Sequence, residues 1–443
     1  MNTYRLWKAA LLSAAILPAQ AFADNSLLKR IEADPDASAG IYMVYPDTAG
    51  VFSPVPEGYR PVYISHYGRH GSRWMIKESN YTSLLNVMNK ADSLGVLTAT
   101  GARIRDKIAR ATAQAAGMEG SLSPLGAAQH KGIARRMAME YPELFNKKLY
   151  IDARSTNVPR CIISMASFCE GLKEVYPALK IDKEASDKST LELNFIQGSA
   201  NKICREYKDY CDNGLFLDEF WNTIDRKCKP ETTYSKLFRK DMFGSKKAST
   251  KYFYSLFNLA TSLKNVMPEE SVYEIFTPEQ LYWMAVADSR RCYSKRGPDP
   301  ANGGWPVHYA KRLLKDFVVR ADSALVKGDR AADLRFGHDI CLMSFIPLMH
   351  LNTSHILSDD PEETIVTWNV ADLTPMAANV QLVFFNRKDG KPDDAIVRIL
   401  LNEKEAKIPV EQYAPGFYRW ADLRNFFLKV IDTPKEKLFT ESI

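Results

Sequence analysis

Apolar positions along this chain switch between short apolar runs and a helical period, and the switches divide it into elements. Pro61-Val62-Tyr63-Ile64-Ser65 is a short apolar and β-branched run that stops at the Gly-punctuated segment Gly68-Arg69-His70-Gly71, which predicts a strand ending in a tight loop. Leu84, Leu85, Val87, Met88, Ala91 and Leu94 then recur at helical spacing up to Gly95, and Ile104, Ile108 and Ala111 continue the pattern. Ser123-Pro124 opens a further predicted helix reaching about Tyr141, with Ser at the cap and Pro in the first turn. Leu149 to Ala153 reads as a second strand that stops at Arg154-Ser155-Thr156, and a helix from about Pro159 to Val175 follows. This order of strand, helix, strand, helix predicts an α/β sandwich with a largely parallel sheet, whose ligands sit beyond the carboxyl ends of the strands.

From about Ser186 to Asp329 the pattern is helical and rich in aromatics, with little strand signal. Thr277-Pro278-Glu279-Gln280 is a capping box opening a helix through Trp283 and Ala287. The α/β pattern returns at Asp333 to Gly337, a predicted strand stopping at His338-Asp339. Val380 to Phe385 and Ala395 to Leu401 then form a predicted hairpin around Lys388-Asp389-Gly390-Lys391-Pro392. The expected organisation is a signal peptide over 1–23, an arm lying over the surface at 24–58, an α/β core at 59–185 and 330–443, and a mainly helical insertion, or cap, at 186–329.

Charge and composition narrow the setting. Arg5 and Lys8 precede the apolar run Ala9 to Leu17 and the small-residue site Ala21-Phe22-Ala23, so the expectation is a cleaved export signal, a mature start at Asp24 and a periplasmic or secreted protein. The run is about half the roughly 20 apolar residues of a spanning helix, and no later stretch is long and apolar enough to cross a bilayer, so no membrane span is expected. Loss of Arg5 and Lys8 lowers the formal charge of +6 by two. With both signs mixed along the chain and no basic tail, nucleic acid is not an expected partner, while local basic clusters can hold an anionic small molecule. Seven cysteines remain. Cys161 and Cys169 lie on one predicted helix about 12 Å apart, too far to bond, and their spacing fits no zinc pattern. Buried thiols with one or two bridges are expected, and the odd count leaves at least one free thiol or an intermolecular pair.

The candidate chemistry gathers at strand ends. Arg69-His70-Gly71-Ser72-Arg73 sets an imidazole between two guanidinium groups on a tight loop. Each guanidinium can hold a pair of phosphate oxygens, and neutral imidazole is a nitrogen nucleophile whose lone pair nearby positive charge keeps free. Arg154 follows the second strand and His338-Asp339 the third, so the predicted fold brings these three clusters to one edge of the sheet. His66 reads as a core histidine, and His130, His308, His350 and His355 as packing or surface residues. Lys246, Lys247 and Lys251, with Arg290, Arg291, Lys295 and Arg296, read as solvated helix faces, the rival reading being a mouth lining for a polyanion.

The string Arg69 to Arg73 after a strand resembles the signature of the histidine phosphatase superfamily, and His338-Asp339 resembles the paired motif of its acid phosphatase and phytase branch. Leu122-Ser123-Pro124-Leu125-Gly126 with Gln129 and Gly132 is similar to the family's following helix, and Arg154-Ser155-Thr156 with Arg160 and Ser164 to its third-arginine block. Thr374 to Asn379 and Val397 to Glu403 are similar to multiple inositol polyphosphate phosphatases, which usually carry His-Ala-Glu where this chain has His338-Asp339-Ile340. The resemblance spans roughly residues 59 to 425. It implies a three-layer, phosphoglycerate mutase-like sandwich with a mostly parallel central sheet and a helical insertion. It also implies a phosphomonoesterase acting on a small-molecule phosphomonoester, possible inositol polyphosphates included.

In the cycle that the resemblance and the side chains suggest, Arg69, Arg73, Arg154 and His338 surround the phosphoryl group, His70 attacks in line, and Asp339 protonates the leaving oxygen. Arg154 is preferred to Arg160 as third arginine because it stands at the strand end. A bound phosphate dianion favours protonated Asp339, which predicts activity on the acid side of neutrality. With that much positive charge already present, no metal and no other cofactor is expected. The competing readings are a mutase-type phosphotransferase, and a phosphate-ester-binding protein without turnover, which would need the arginines but neither His70 nor Asp339.

Overall fold

The computed structural model describes residues 26–48, 50–146, 149–196 and 202–439; the expected signal peptide lies outside them. A nine-stranded sheet forms the centre, built from β1 (Arg60–Arg69), β2 (Tyr150–Ser155), β3 (Lys180–Glu184), β4 (Arg330–Gly337), β5 (Asn379–Asn386), β6 (Ile396–Leu401), β7 (Lys404–Glu405), β8 (Gln412–Ala414) and β9 (Phe417–Arg419). Its order is β3-β2-β4-β1-β5-β6-β9-β8, with β7 paired to β6. Strands β3, β2, β4 and β1 run parallel, and the expected β5–β6 hairpin continues the sheet antiparallel to β1.

Strand alternation assigns the two faces. Tyr63, Tyr67, Leu382, Phe384, Val397 and Ile399 enter one core with the helices Trp305–Lys327, Asp339–Leu348 and Trp420–Asp432. Ile64, Leu334, Phe336, Val383 and Leu400 enter another with the helices Pro124–Glu140 and Pro159–Val175. The result is helix, sheet, helix. Strand β1 runs well past the predicted Ser65 because β4 and β5 pair with it up to its end, so even Gly68 and Arg69 lie in the ladder. Strand β3 was not expected: Lys180-Ile181-Asp182-Lys183-Glu184 buries only Ile181, and its charges suit an exposed sheet edge.

A third core lies away from the sheet and does not follow chain order. The helices Lys246–Leu263 and Pro278–Arg296 pack with Ser79–Ser93 and Ala99–Ala115, which the sequence had grouped with the α/β core. Trp305–Lys327, expected in the insertion, instead covers β1 and β4. The arm is also more than a surface strap. Its residues 26–33 are helical and bury Leu27 and Ile31 in the cap core, while Tyr45 enters the core beneath the sheet. The seven cysteines are free thiols, six of them buried, so the expected one or two bridges are not formed; they pack as small apolar groups. Among the described residues no helix is long and apolar enough to cross a membrane.

Candidate active site

The register of two adjacent parallel strands builds the site. Arg69 of β1 lies opposite Gly337 of β4, so the residues that follow each, His70 and His338, emerge side by side with ring centroids 6.0 Å apart. The backbone N–H of His70 donates to the Gly337 carbonyl at 3.0 Å, which locks the two strand ends together. Asp339 opens the helix Asp339–Leu348, and its Oδ2 lies 3.2 Å from Arg69 Nη2. On the other side of β4, Ser155 of β2 pairs with Phe336, and the Thr156 hydroxyl reaches His338 Nε2 at 3.3 Å.

The loop carrying His70 is held by backbone contact. A Cβ on Gly71 would lie 2.4 Å from the Gly126 carbonyl oxygen, and one on Gly126 would lie 2.3 Å from the Ser72 carbonyl oxygen, so neither position admits a side chain. The Ser123 backbone N–H and hydroxyl both donate to the Ser72 carbonyl, Ser72 N–H donates to Gln129 Oε1, and Gly71 N–H donates to Ser164 Oγ. The block from Ser123 to Gln129 therefore clamps the His70 loop against the helix Pro124–Glu140.

His70 is 1% exposed, and its Nδ1 lies 2.9 Å from the Gly71 carbonyl oxygen. A carbonyl only accepts, so Nδ1 carries the proton and Nε2 keeps the lone pair. Burial first, then the positive field of Arg69, Arg160 and Arg73, holds its pKa well below the ordinary imidazole value. His338 is lowered to about 4 by burial and by Arg160. Burial tends to raise the Asp339 carboxyl, but Arg69, Arg73 and His338 outweigh it and hold the group below its usual range. Arg69 is wholly buried and its pKa falls to about 10, burial exceeding the support of Asp339.

These guanidinium groups are short of acceptors. Arg69 Nη1 donates to the Thr374 carbonyl at 2.6 Å and Arg73 Nη1 to the Trp74 carbonyl at 2.9 Å. Arg69 Nε and Nη2, Arg73 Nε and Arg160 Nε are buried without a hydrogen-bond partner, the Arg69–Asp339 contact being close but poorly aligned. Buried charged donors left unpaired are costly, and a tetrahedral oxyanion beside His70 would satisfy them.

Arg154 is elsewhere. Strand β2 continues to Ser155, so Arg154 is still inside the ladder and its side chain turns to the layer of the helix Trp305–Lys327, where it pairs with Asp316 at 3.0 Å and with Glu192 at 2.9 Å. Arg160, in the first turn of the helix Pro159–Val175, supplies the third guanidinium at His70 instead. The preference for Arg154 is thus corrected. Alternation along β2 was the signal that could have found it, since Arg154 shares a face with Asp152, which Arg320 binds.

The other candidates separate cleanly. Arg69, His70, Arg73, His338 and Asp339 come together as the spacing predicted. Arg290, Arg291, Lys295 and Arg296 are half-buried and bond inward to Ser358, Asp288, Cys211 and Tyr207, so they do not form a freely solvated face. His66 and His130 are buried around Phe168 and Phe336 beneath the His70 loop, and burial lowers each to about 3. Sequence reasoning missed Asn265, which is wholly buried and accepts from Ser72 Oγ at 2.7 Å.

A family model described as the histidine phosphatase superfamily (branch 2) matches residues 68–402. No curated protein matches the chain in sequence. Among solved structures, the chain is similar to the Bifidobacterium longum multiple inositol polyphosphate phosphatase in complex with inositol hexasulfate, at a TM-score of 0.75 and 20% identity over 88% of this chain and 97% of that one. It is also similar to the phytase from D. castellii, at 0.71 and 14% over 91% and 87%. The Hafnia alvei phytase in complex with myo-inositol hexakis sulphate is more distant, at 0.52 and 11% over 86% and 99%. At such identities these likenesses speak for the fold.

Proposed function

The chain belongs to the histidine phosphatase superfamily, branch 2, and from that premise we propose that it is an exported acid phosphatase hydrolysing phosphomonoesters through a phosphohistidine on His70, with inositol polyphosphates as the first substrates to test. One observation carries the reading: a buried neutral imidazole with its Nε2 lone pair free, in the field of Arg69, Arg73 and Arg160, whose buried Nε groups lack acceptors. That arrangement suits a phosphoryl group.

In the proposed cycle the guanidinium groups and His338 bind the equatorial oxygens. His70 Nε2 attacks phosphorus in line as the ester P–O bond breaks, and Asp339 gives its proton to the departing alkoxide. Asp339 then takes a proton from water, which attacks the phosphohistidine, breaks the P–N bond and releases inorganic phosphate and free His70. Arg69, Arg73 and His338 hold Asp339 ionised. A bound phosphate dianion cancels that field, which raises the carboxyl's pKa and makes it a proton donor on the acid side of neutrality.

Inositol polyphosphates are put first because the B. longum and D. castellii proteins of similar fold are named for such substrates. Export rests on the pattern of residues 1–23. The test is phosphate release between pH 4 and 6 from phytate, sugar phosphates and an aryl phosphate, with and without chelator, alongside acid-labile labelling of the quenched enzyme. Release from at least one ester, unaffected by chelator and accompanied by label on His70, is expected. Saturable binding with no release, or transfer of label to an added alcohol in preference to water, defeats the proposal.

A further inference from the structure

Asn265 lies in the turn after the helix Lys246–Leu263, in the cap, yet its side chain is spent on the catalytic loop and the arm. Its amide oxygen accepts from Ser72 Oγ at 2.7 Å, and its Nδ2 donates to the Tyr42 carbonyl at 2.8 Å. Ser72 immediately precedes Arg73, and the Tyr42 ring lies 5.5 Å from the Arg73 guanidinium carbon. Asn265, Ser72, Arg73 and Tyr42 therefore close a circuit around one arginine. Asn265 is 0% exposed, and both ends of its amide are used, so rotation of the amide would lose both bonds.

The neighbours reinforce the joint. Lys264 pairs with Asp36 of the arm at 2.5 Å, and the Tyr273 hydroxyl donates to Asp36 at 2.9 Å. The arm thus docks on the cap just where Asn265 reaches the loop. The backbone of Ser72 is fixed independently by Gln129 and Ser123, whereas its side chain is fixed by the cap alone. Arg73 has a single hydrogen bond of its own, to the adjacent Trp74 carbonyl. It needs outside support to present its remaining donors.

We infer that Asn265 is a positioning residue that, through Ser72 and the Tyr42 backbone, sets the Arg73 guanidinium for phosphate and so makes phosphate affinity depend on the seating of the cap and arm. The inference rests on the phosphatase reading above. His70 and Asp339 are held by other bonds, to the Gly71 and Gly337 carbonyls and to the Ile340 N–H, and stay in place when Asn265 is changed.

The experiment compares wild type with Asn265→Leu, Asn265→Asp, Ser72→Ala and the Asn265→Leu/Ser72→Ala double variant. The readouts are KM, kcat and the pH profile on an aryl phosphate, the inhibition constant of inorganic phosphate, and the melting temperature. Asn265→Leu should raise KM and the phosphate inhibition constant together by about five- to tenfold, the loss of one or two buried hydrogen bonds, with kcat changed less and the pH profile unmoved. Asn265→Asp, which keeps the acceptor for Ser72 and loses the donor to Tyr42, should fall between Leu and wild type. The double variant should be no worse than Asn265→Leu. A merely structural role would lower the melting temperature and leave both constants alone, and that result overturns the inference, as does additivity of the two single changes. Should Asn265→Leu fail to fold, Ser72→Ala decides by itself, an unchanged phosphate inhibition constant being the refutation. Wild type without turnover on any ester overturns the phosphatase reading instead, and this inference with it.

Discussion

Two clusters of arginines are built around the central strands, and the charges beside each decide whether burial prevails. In the first, Arg154, Arg320 and Arg335 face Asp152, Asp316 and Asp333 beneath the helix Trp305–Lys327. In the second, Arg69, Arg73 and Arg160 surround His70 with Asp339 as the carboxylate. Arg335 and Arg69 are both wholly buried, yet burial is outweighed for Arg335, whose pKa is raised by Asp316 and Asp333, while it prevails for Arg69, whose pKa drops to about 10. Asp316 is driven far below the carboxylate range by Arg335, Arg154 and Arg320, against the effect of its own burial. The lesson is that local charge balance, not the presence of arginine, separates a strut from a binding site. A neutralised cluster holds the fold together; an unbalanced one waits for an anion.

The contrast predicts unequal damage. His70→Ala, at the centre of the unbalanced cluster, should lower turnover by at least about a thousandfold with the melting temperature unchanged; phosphate release by the purified variant checks this, and near-normal release removes His70 as nucleophile. Arg160→Ala should cost about a hundred- to a thousandfold in kcat/KM and little stability, whereas Arg154→Ala should cost about 3 kcal/mol of stability, read by denaturant unfolding, and leave the kcat of the folded fraction intact. The reverse result would exchange the roles of the two residues.

Asp339→Asn should sharpen the picture through the leaving group. Alkyl and inositol phosphates, whose leaving oxygen needs a proton, should lose far more rate than an aryl phosphate, and the alkaline fall of kcat should disappear. Equal losses on both esters take the acid role from Asp339. The smallest effect concerns pH and stability. His66 and His130 are lowered to about 3 in the folded protein, so the unfolded chain takes up their protons first, from its ordinary value near 6.5 downward. Stability should therefore be full above about pH 6.5 and decline toward pH 3, by up to about 2 to 3 kcal/mol per imidazole at pH 4.5. The carboxylate of Asp316, depressed instead, keeps its contribution until the pH falls below the unfolded value near 4. His130→Leu should flatten the decline in melting temperature between pH 6.5 and 4.5; an unaltered slope assigns it to other groups.

Much of this was legible from spacing. The strand, loop and helix order from Pro61 to Val175, the return to strand before His338 and the hairpin after Val380 follow from period and punctuation, and they set Arg69, His70, Arg73, His338 and Asp339 at neighbouring strand ends. What stayed hidden depends on side-chain direction and long-range pairing. Arg154 and Arg160 are chemically identical, and only the extra residue of ladder at Ser155 turns Arg154 inward. Asn265 is one polar residue in a turn whose partners, Ser72 and Tyr42, lie about 200 positions away. The polar edge strand β3 carries too little apolar pattern to announce itself, and the cap core joins helices that chain order separates.

In the proposed cycle, the pairing of β1 with β4 also sets the backbone spacing of the two histidines that would hold the transferred group. Parallel neighbours stand about 4.8 Å apart whatever their sequence, so the gap between the residues emerging from Arg69 and Gly337 is a gauge cut by peptide geometry. Tetrahedral oxyanions such as vanadate, molybdate and sulfate should therefore compete with one another there. Remodelling the cap can change which alcohol departs, but widening the gauge would mean rebuilding the sheet.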